Sequence, residues 1–110
     1  MIFITAKFAV KPADAEDWPA ICASYTQATR DEPGCLWFEW ARSLDDPTVY
    51  VLVEAFKDEA AGKYHVESDH FKVAQTQMVP HLVSTPKIVS TVIQQTGWSA
   101  LRELEVPGSE

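Results

Sequence analysis

Apolar and polar positions alternate along four separate runs of this chain, and between the runs the apolar spacing lengthens to three or four residues. Residues 2–10, Ile-Phe-Ile-Thr-Ala-Lys-Phe-Ala-Val, alternate in part and are rich in strand formers. They predict a strand that Pro12 ends. Trp18, Ile21, Cys22, Tyr25 and Thr29 then recur close to a 3.6-residue period, which predicts a helix to about Arg30 with Asp14 or Asp17 as its cap. Pro19 fits the first turn if the helix starts at Asp17, and costs a backbone hydrogen bond if it starts at Asp14. Glu32-Pro33-Gly34 signals a turn. A second strand follows from Cys35 to about Arg42, then a hairpin loop over 44–48 and a third strand from Val49 to Phe56. Alternation in the third strand sets Tyr50, Leu52, Glu54 and Phe56 on one face and Val49, Val51, Val53 and Ala55 on the other. Both faces are mostly apolar, so both are expected to be covered.

Lys57-Asp58-Glu59 opens a second helical region, expected in two pieces. One runs to about Val66; after a break near Ser68-Asp69, where Ser or Asp can cap, the other runs to about Leu82. His65 and His70 lie on either side of that break. On an unbroken helix, residues five apart point about 140° away from each other; a break lets both rings reach one cavity. Thr85-Pro86 ends the helix, and Lys87 to Gln95, rich in Val, Ile and Thr, predicts a fourth strand.

The order β-α-β-β-α-β is that of an α+β, ferredoxin-like domain with an antiparallel four-stranded sheet and helices on one face. Its other face would be a bare apolar surface in a monomer, which predicts a partner. Residues 1–96 form this domain, and 97–110 an extension. Trp98, Leu101 and Leu104 stand at helical spacing in the extension and are expected to dock on the domain or on a second subunit, with Pro107 to Glu110 frayed.

Bulk properties narrow the partners. With 110 residues and 46% hydrophobic content, the chain can build one core without staples. No apolar run approaches the roughly 20 residues that span a bilayer, and the start lacks the pattern of a secretory signal, so no membrane association and a cytoplasmic location are expected. A net charge of −7 repels phosphate backbones, so no nucleic-acid partner is expected. Cys22 and Cys35 show neither redox nor zinc spacing and read as reduced core thiols. There is no Gly-rich phosphate loop and no metal-ligand spacing such as His-Glu-x-x-His.

Glu32-Pro-Gly-Cys35, Arg42-Ser-Leu-Asp-Asp-Pro-Thr48, Val51-Leu-Val-Glu54-Ala-Phe56, Asp58-Glu-Ala-Ala61 and His65…Ser68-Asp-His70-Phe71 occur in that order. Together they resemble the antibiotic biosynthesis monooxygenase (ABM) superfamily of dimeric α+β barrels, over residues 2 to about 95. The resemblance implies a homodimer whose sheets pack face to face, with one pocket per subunit between sheet and helices. Members include cofactor-independent monooxygenases that oxidise quinols or polycyclic phenols with dioxygen, isomerases of a phosphorylated autoinducer, haem-degrading oxygenases and proteins of no known activity. The segment from Glu54 to Phe71 is most similar to the quinol monooxygenase and autoinducer-processing branches. The haem-degrading branch relies on an Asn, a Trp and a haem-ligating His; this chain has no Asn, so haem is not expected.

The resemblance implies that His65 faces the pocket, and marks Glu54, His65 and His70 as the catalytic candidates. Glu54, on an otherwise apolar strand, is either a structural hydrogen-bond acceptor for a backbone amide or His65, or a base or the group that orients His65 as base. His70 begins a helical piece, where the positive helix end favours a neutral imidazole that can donate to a substrate oxygen. His81, beside Pro80, reads as a surface residue. Phe38, Trp40, Phe56, Tyr64 and Phe71 read as core residues that would also wall a pocket for a planar quinol or phenol, with Met78 as an adaptable wall. No organic cofactor or metal is expected, and dioxygen would be the co-substrate. The competing functions are an isomerase of a phosphorylated or hydroxy-carbonyl compound, with Arg42 and Lys63 as its phosphate candidates, and a binding module without turnover.

Overall fold

Four strands pair into one antiparallel sheet in the order β2-β3-β1-β4 in the computed structural model, which describes residues 1–108. The strands are β1 (Ile2–Ala9), β2 (Cys35–Arg42), β3 (Val49–Phe56) and β4 (Lys87–Val92). Between β1 and β2 lie a 3-10 segment (Pro12–Asp17), α1 (Trp18–Ile21) and α2 (Ala23–Arg30); between β3 and β4 lie α3 (Glu59–Glu67), α4 (Asp69–Met78) and a 3-10 turn (Val79–His81). The expected ferredoxin-like order is therefore present. Pro19 falls in the first turn of α1, where its missing N–H leaves no helical bond unmade.

The helices cover the sheet face that carries Ala6, Phe38, Tyr50, Leu52, Glu54 and Phe56, all of which are buried. Trp18, Cys22, Tyr25, Ala74 and Met78 close on it from the helix layer. The opposite face is only half covered in the single chain: Val49, Val51 and Val53 are partly exposed, and Lys87, Val89 and Thr91 on the same face of β4 are exposed. Part of that face is met by the extension, where Trp98 sits 5.2 Å from Trp37 between ring centroids.

Several boundaries differ from expectation, each for a local reason. The second helical region stops at Met78, not near Leu82, because Pro80 turns the chain into a 3-10 segment from which Leu82 bridges Val10. β4 ends at Val92, short of Gln95, because Val92 pairs with Ile2, the first residue of β1, and only the Met1 carbonyl remains to accept from Ile93. The extension does not form the helix that its spacing suggests: only Arg102–Leu104 make a 3-10 turn, and Leu101 and Leu104 stay exposed within the chain. Of the terminal segment expected to fray, Ser109 and Glu110 lie outside the described residues.

Candidate active site

The site is built where α2 turns into β2 and α3 breaks into α4. After α2 the chain turns through Glu32-Pro33-Gly34, and α3 packs directly on that turn. A Cβ at Gly34 would overlap the Ala61 methyl, so glycine is required by the close approach rather than by its φ. The Lys57 amide donates to the Gly34 carbonyl at 2.9 Å and fixes the approach. Ala61 and His65 lie one turn apart on the same face of α3. With Ala61 against Gly34, His65 is brought against Glu32.

The helix break does what its sequence predicts. The Asp58 carboxylate accepts from the Ala61 amide at 2.8 Å and starts α3. Ser68 ends α3 in extended conformation; its Oγ donates to the His65 carbonyl at 2.6 Å and accepts from the Phe71 amide at 3.2 Å, so one hydroxyl stops α3 and caps α4. His70, second in α4, is thereby turned back toward His65, with the two ring centroids 6.1 Å apart.

The two imidazoles meet on one carboxylate oxygen, which belongs to Glu32 and not to Glu54. His65 Nδ1 is 2.8 Å and His70 Nε2 2.6 Å from Glu32 Oε2. His65 Nε2 is 3.1 Å from the Tyr25 hydroxyl. The Glu32 and His65 side chains are 2% and 5% exposed and that of His70 is 25% exposed, so the chain of contacts His70–Glu32–His65–Tyr25 runs from the rim into the core. The His65 ring stacks on Phe56 at 4.8 Å and meets Phe71 edge-on at 5.2 Å.

Burial holds the His65 imidazolium below its ordinary range, against the opposing pull of Glu32. Burial, with the charges of Glu54 and Glu32 adding to it, raises Tyr25 well above the usual phenol range. Tyr25 therefore remains an O–H, and the hydrogen-bond pattern assigns the protons. Tyr25 donates to His65 Nε2, His65 Nδ1–H donates to Glu32, and His70 Nε2–H donates to the same oxygen. The second ring nitrogen of His70 makes no hydrogen bond among the described residues and carries a free lone pair when the ring is neutral. A carboxylate behind an imidazole, with the far nitrogen open, is the arrangement that makes histidine a general base.

Glu54 is 6% exposed and has no hydrogen-bond partner among the described residues, so the structural bond to His65 or to a backbone amide, one of the two readings of this residue, is absent. Burial, followed by repulsion from Glu32, pushes its carboxyl up to about 7. Of the expected pocket walls, Phe56 and Phe71 touch His65, and Phe38 packs edge-on against Tyr25 at 5.5 Å. Met78 is buried in the core. Tyr64 is 58% exposed in the single chain, because it precedes His65 on α3 and a one-residue step turns it about 100° off the packed face. His81 is half-buried, not a free surface residue; its Nδ1 lies 3.0 Å from Asp14 Oδ2.

A cavity of about 360 Å³ lies on the flank between α1–α2 and the edge strand β2, lined in part by Trp18, Thr26, Arg30, Trp40 and Tyr50. It contains none of the titratable cluster. Its lining carries no carboxylate and no imidazole. Arg42 is engaged by Glu16 at 2.9 Å and Lys63 faces Glu67 at 4.0 Å, so neither contributes a phosphate site to the cluster. Cys22 is buried and its thiol is pushed up to about 12, and Cys35 to about 11, in both cases chiefly by burial, which leaves neither as a nucleophile at neutral pH.

Glu32 and Tyr25 are the members of the cluster that sequence reasoning left out of the site. Glu32 reads as a turn residue and Tyr25 as part of an apolar stripe. The available signal was the carboxylate of Glu32-Pro-Gly-Cys35, a segment already matched within the family resemblance but read only for its turn.

A four-stranded antiparallel sheet with one helix-covered face and a buried carboxylate–imidazole cluster under a helix break defines a small α+β, ferredoxin-like domain. Residues 1–77 match the family model described as antibiotic biosynthesis monooxygenase, and the chain belongs to that family. The match ends within α4, so β4 and the extension lie outside it. The protein named "Putative monooxygenase YcnE" of Bacillus subtilis is 33% identical over 72 residues, which are 66% of this chain and 76% of that one. The solved structure of protein SO0527 from Shewanella oneidensis superposes with a TM-score of 0.74 at 32% identity, over 82% of this chain and 87% of that one. Rv0793 from Mycobacterium tuberculosis, at 21% identity and a TM-score of 0.79 over 88% of this chain and 98% of that one, shares the fold. No helix among the described residues is long and apolar enough to cross a membrane.

Proposed function

We propose that this chain is a monooxygenase that oxidises a small quinol or phenol with dioxygen, with His70 as the general base. The observation that carries the reading is the pair of imidazoles on one buried carboxylate, with the His70 ring at the rim. Glu32 holds the His70 ring by its Nε2–H and stabilises the imidazolium that forms when the other nitrogen takes a phenolic proton. His65 and Tyr25 lock Glu32 from the core side. The phenolate then supplies the electrons itself: one oxygen atom enters the ring, the other leaves as water, and the quinol becomes a hydroxyquinone. Nothing in this sequence of steps calls on a flavin or haem. In this reading Glu54, protonated below about 7, serves as the neutral acid that donates toward the oxyanion that develops.

The working unit in this proposal is a homodimer, closed through the open sheet face. The half-covered Val49, Val51 and Val53 and the exposed Val89 support it, since an apolar face of that kind normally meets a partner. Sedimentation as a stable monomer at micromolar concentration would overturn the dimer.

Oxygen uptake with a series of hydroquinones tests the activity. Uptake above autoxidation by the wild type, lost in His70→Ala, is the expected result. Full turnover by His70→Ala would overturn the assignment of the base. Rearrangement of a hydroxy-ketone without uptake would replace the monooxygenase by an isomerase, and saturable binding alone would replace it by a ligand carrier.

A further inference from the structure

We infer that Glu32, His65 and His70 form a binding site for a divalent first-row transition ion such as Zn²⁺ or Co²⁺. Glu32 Oε2, His65 Nδ1 and His70 Nε2 lie within 4.8 Å of one another. Two imidazole nitrogens and one carboxylate oxygen form a donor set that suits zinc and its neighbours, whereas magnesium and calcium seek oxygen alone. The triad leaves at least one position for water or an exogenous ligand.

The hydrogen bonding of the cluster is uneven in a way that a metal would resolve. Both rings meet on Glu32 Oε2, while Oε1, also buried, has no partner. One oxygen can accept from both rings, but a buried acceptor left without any partner is costly. An ion seated among the three side chains gives Oε1 a second-contact or water-mediated role. The shell behind the triad suits this as well. When His65 Nδ1 turns to the ion, its proton moves to Nε2, where the Tyr25 hydroxyl at 3.1 Å accepts it. Such a partner behind a ligating histidine is a regular feature of metal sites. The present contacts of 2.6 and 2.8 Å are shorter than the roughly 3.3 Å between donors on a tetrahedral zinc, so the cluster opens slightly on binding. His70 can supply that movement, since it lies at the rim and its other ring nitrogen makes no hydrogen bond.

A metal here does not assist the oxidation proposed above. It engages His70 Nε2 and Glu32, the base and the group behind it, so the His70 proton shifts to the other ring nitrogen, which can then no longer take the substrate proton. This consequence rests on the proposed function; the metal site itself does not.

The test uses tag-free full-length protein stripped with a chelator. Zn²⁺ is titrated by calorimetry, and Co²⁺ is followed by its visible ligand-field absorption. One ion per chain and an intensified low-symmetry cobalt spectrum are expected in the wild type. Both should persist in His81→Ala, which removes the other histidine–carboxylate pair. Both should be lost in His70→Ala, whose partly exposed ring can be removed with least damage to the fold, and in Glu32→Gln if circular dichroism shows it folded. Tyr25→Phe should retain the site with affinity lower by about 10- to 100-fold. Unchanged binding in His70→Ala, loss in His81→Ala, or a cobalt spectrum no different from the free ion would each overturn the site. Zinc binding without any oxygen uptake in the metal-free protein would leave the site standing and remove the proposed oxidation.

Discussion

Replacing Glu54 by Gln should stabilise the protein, by an amount that depends on pH. The Glu54 carboxyl is buried on β3 with no hydrogen bond among the described residues, and its folded pKa is raised from 4.5 to about 7. Below 4.5 the group is protonated whether the chain is folded or not, and it makes no difference to stability. As pH rises from 4.5 to 7, the unfolded chain releases its proton and the folded one keeps it, so the native state loses stability over that window. At about 1.4 kcal/mol per pH unit, the loss reaches roughly 3 kcal/mol at pH 7 and is constant above it. Gln has nearly the same shape and never ionises. The advantage of Glu54→Gln over wild type should therefore be small at pH 4 and grow to about 3 kcal/mol at pH 8, whatever constant offset the amide introduces. Urea unfolding at fixed protein concentration across pH 4–8 reads this directly: with a slope of about 1–3 kcal/mol/M, the midpoint gap should widen by about 1 M or more. Effects of acid on His65 occur in both proteins and cancel in the difference. A gap that stays flat with pH, or one that reverses as pH rises, would show that Glu54 is ionised and paired in the fold, and would refute the reasoning.

Other outcomes follow from the same geometry. Gly34→Ala should cost about 1–3 kcal/mol in urea unfolding, because its methyl overlaps Ala61 and pushes α3 off the turn that carries Glu32; a neutral result would show that the turn and α3 are not tightly joined. The His65 ring should titrate below 6.5 when followed by NMR, with stability intact above that value and lost as pH falls through it toward the lowered folded value; a ring protonated above 6.5 would mean that Glu32 outweighs burial. Tyr64→Ala should change stability by no more than about 0.5 kcal/mol and leave turnover untouched, since the side chain is largely in solvent. Trp98→Ala should cost at most about 1 kcal/mol in the isolated chain, the usual worth of one aromatic pair; a larger loss that depends on protein concentration would place Trp98 against a second subunit.

The sequence by itself determined the element order and most boundaries. Alternation in β3 separates Leu52, Glu54 and Phe56 from Val51, Val53 and Ala55 because side-chain direction in a strand has period two, and all of the first set are buried as expected. The break at Ser68 was legible because a serine that stops one helix and caps the next acts on backbone groups within three residues. The family resemblance was legible for the same reason, since its motifs are local and occur in order. The partner of the histidines was not. Glu32 is 33 residues from His65 and 38 from His70, and only the docking of Ala61 on Gly34 brings the three together. Glu54 stood closer in sequence and on the correct face, yet the orientation of α3 gives the imidazoles to Glu32 and leaves Glu54 unpaired. Patterns of period and capping fix what each segment becomes, because they involve neighbours along the chain. Which carboxylate meets which imidazole depends on the angle and approach of packed elements, and that is decided only when the layers close.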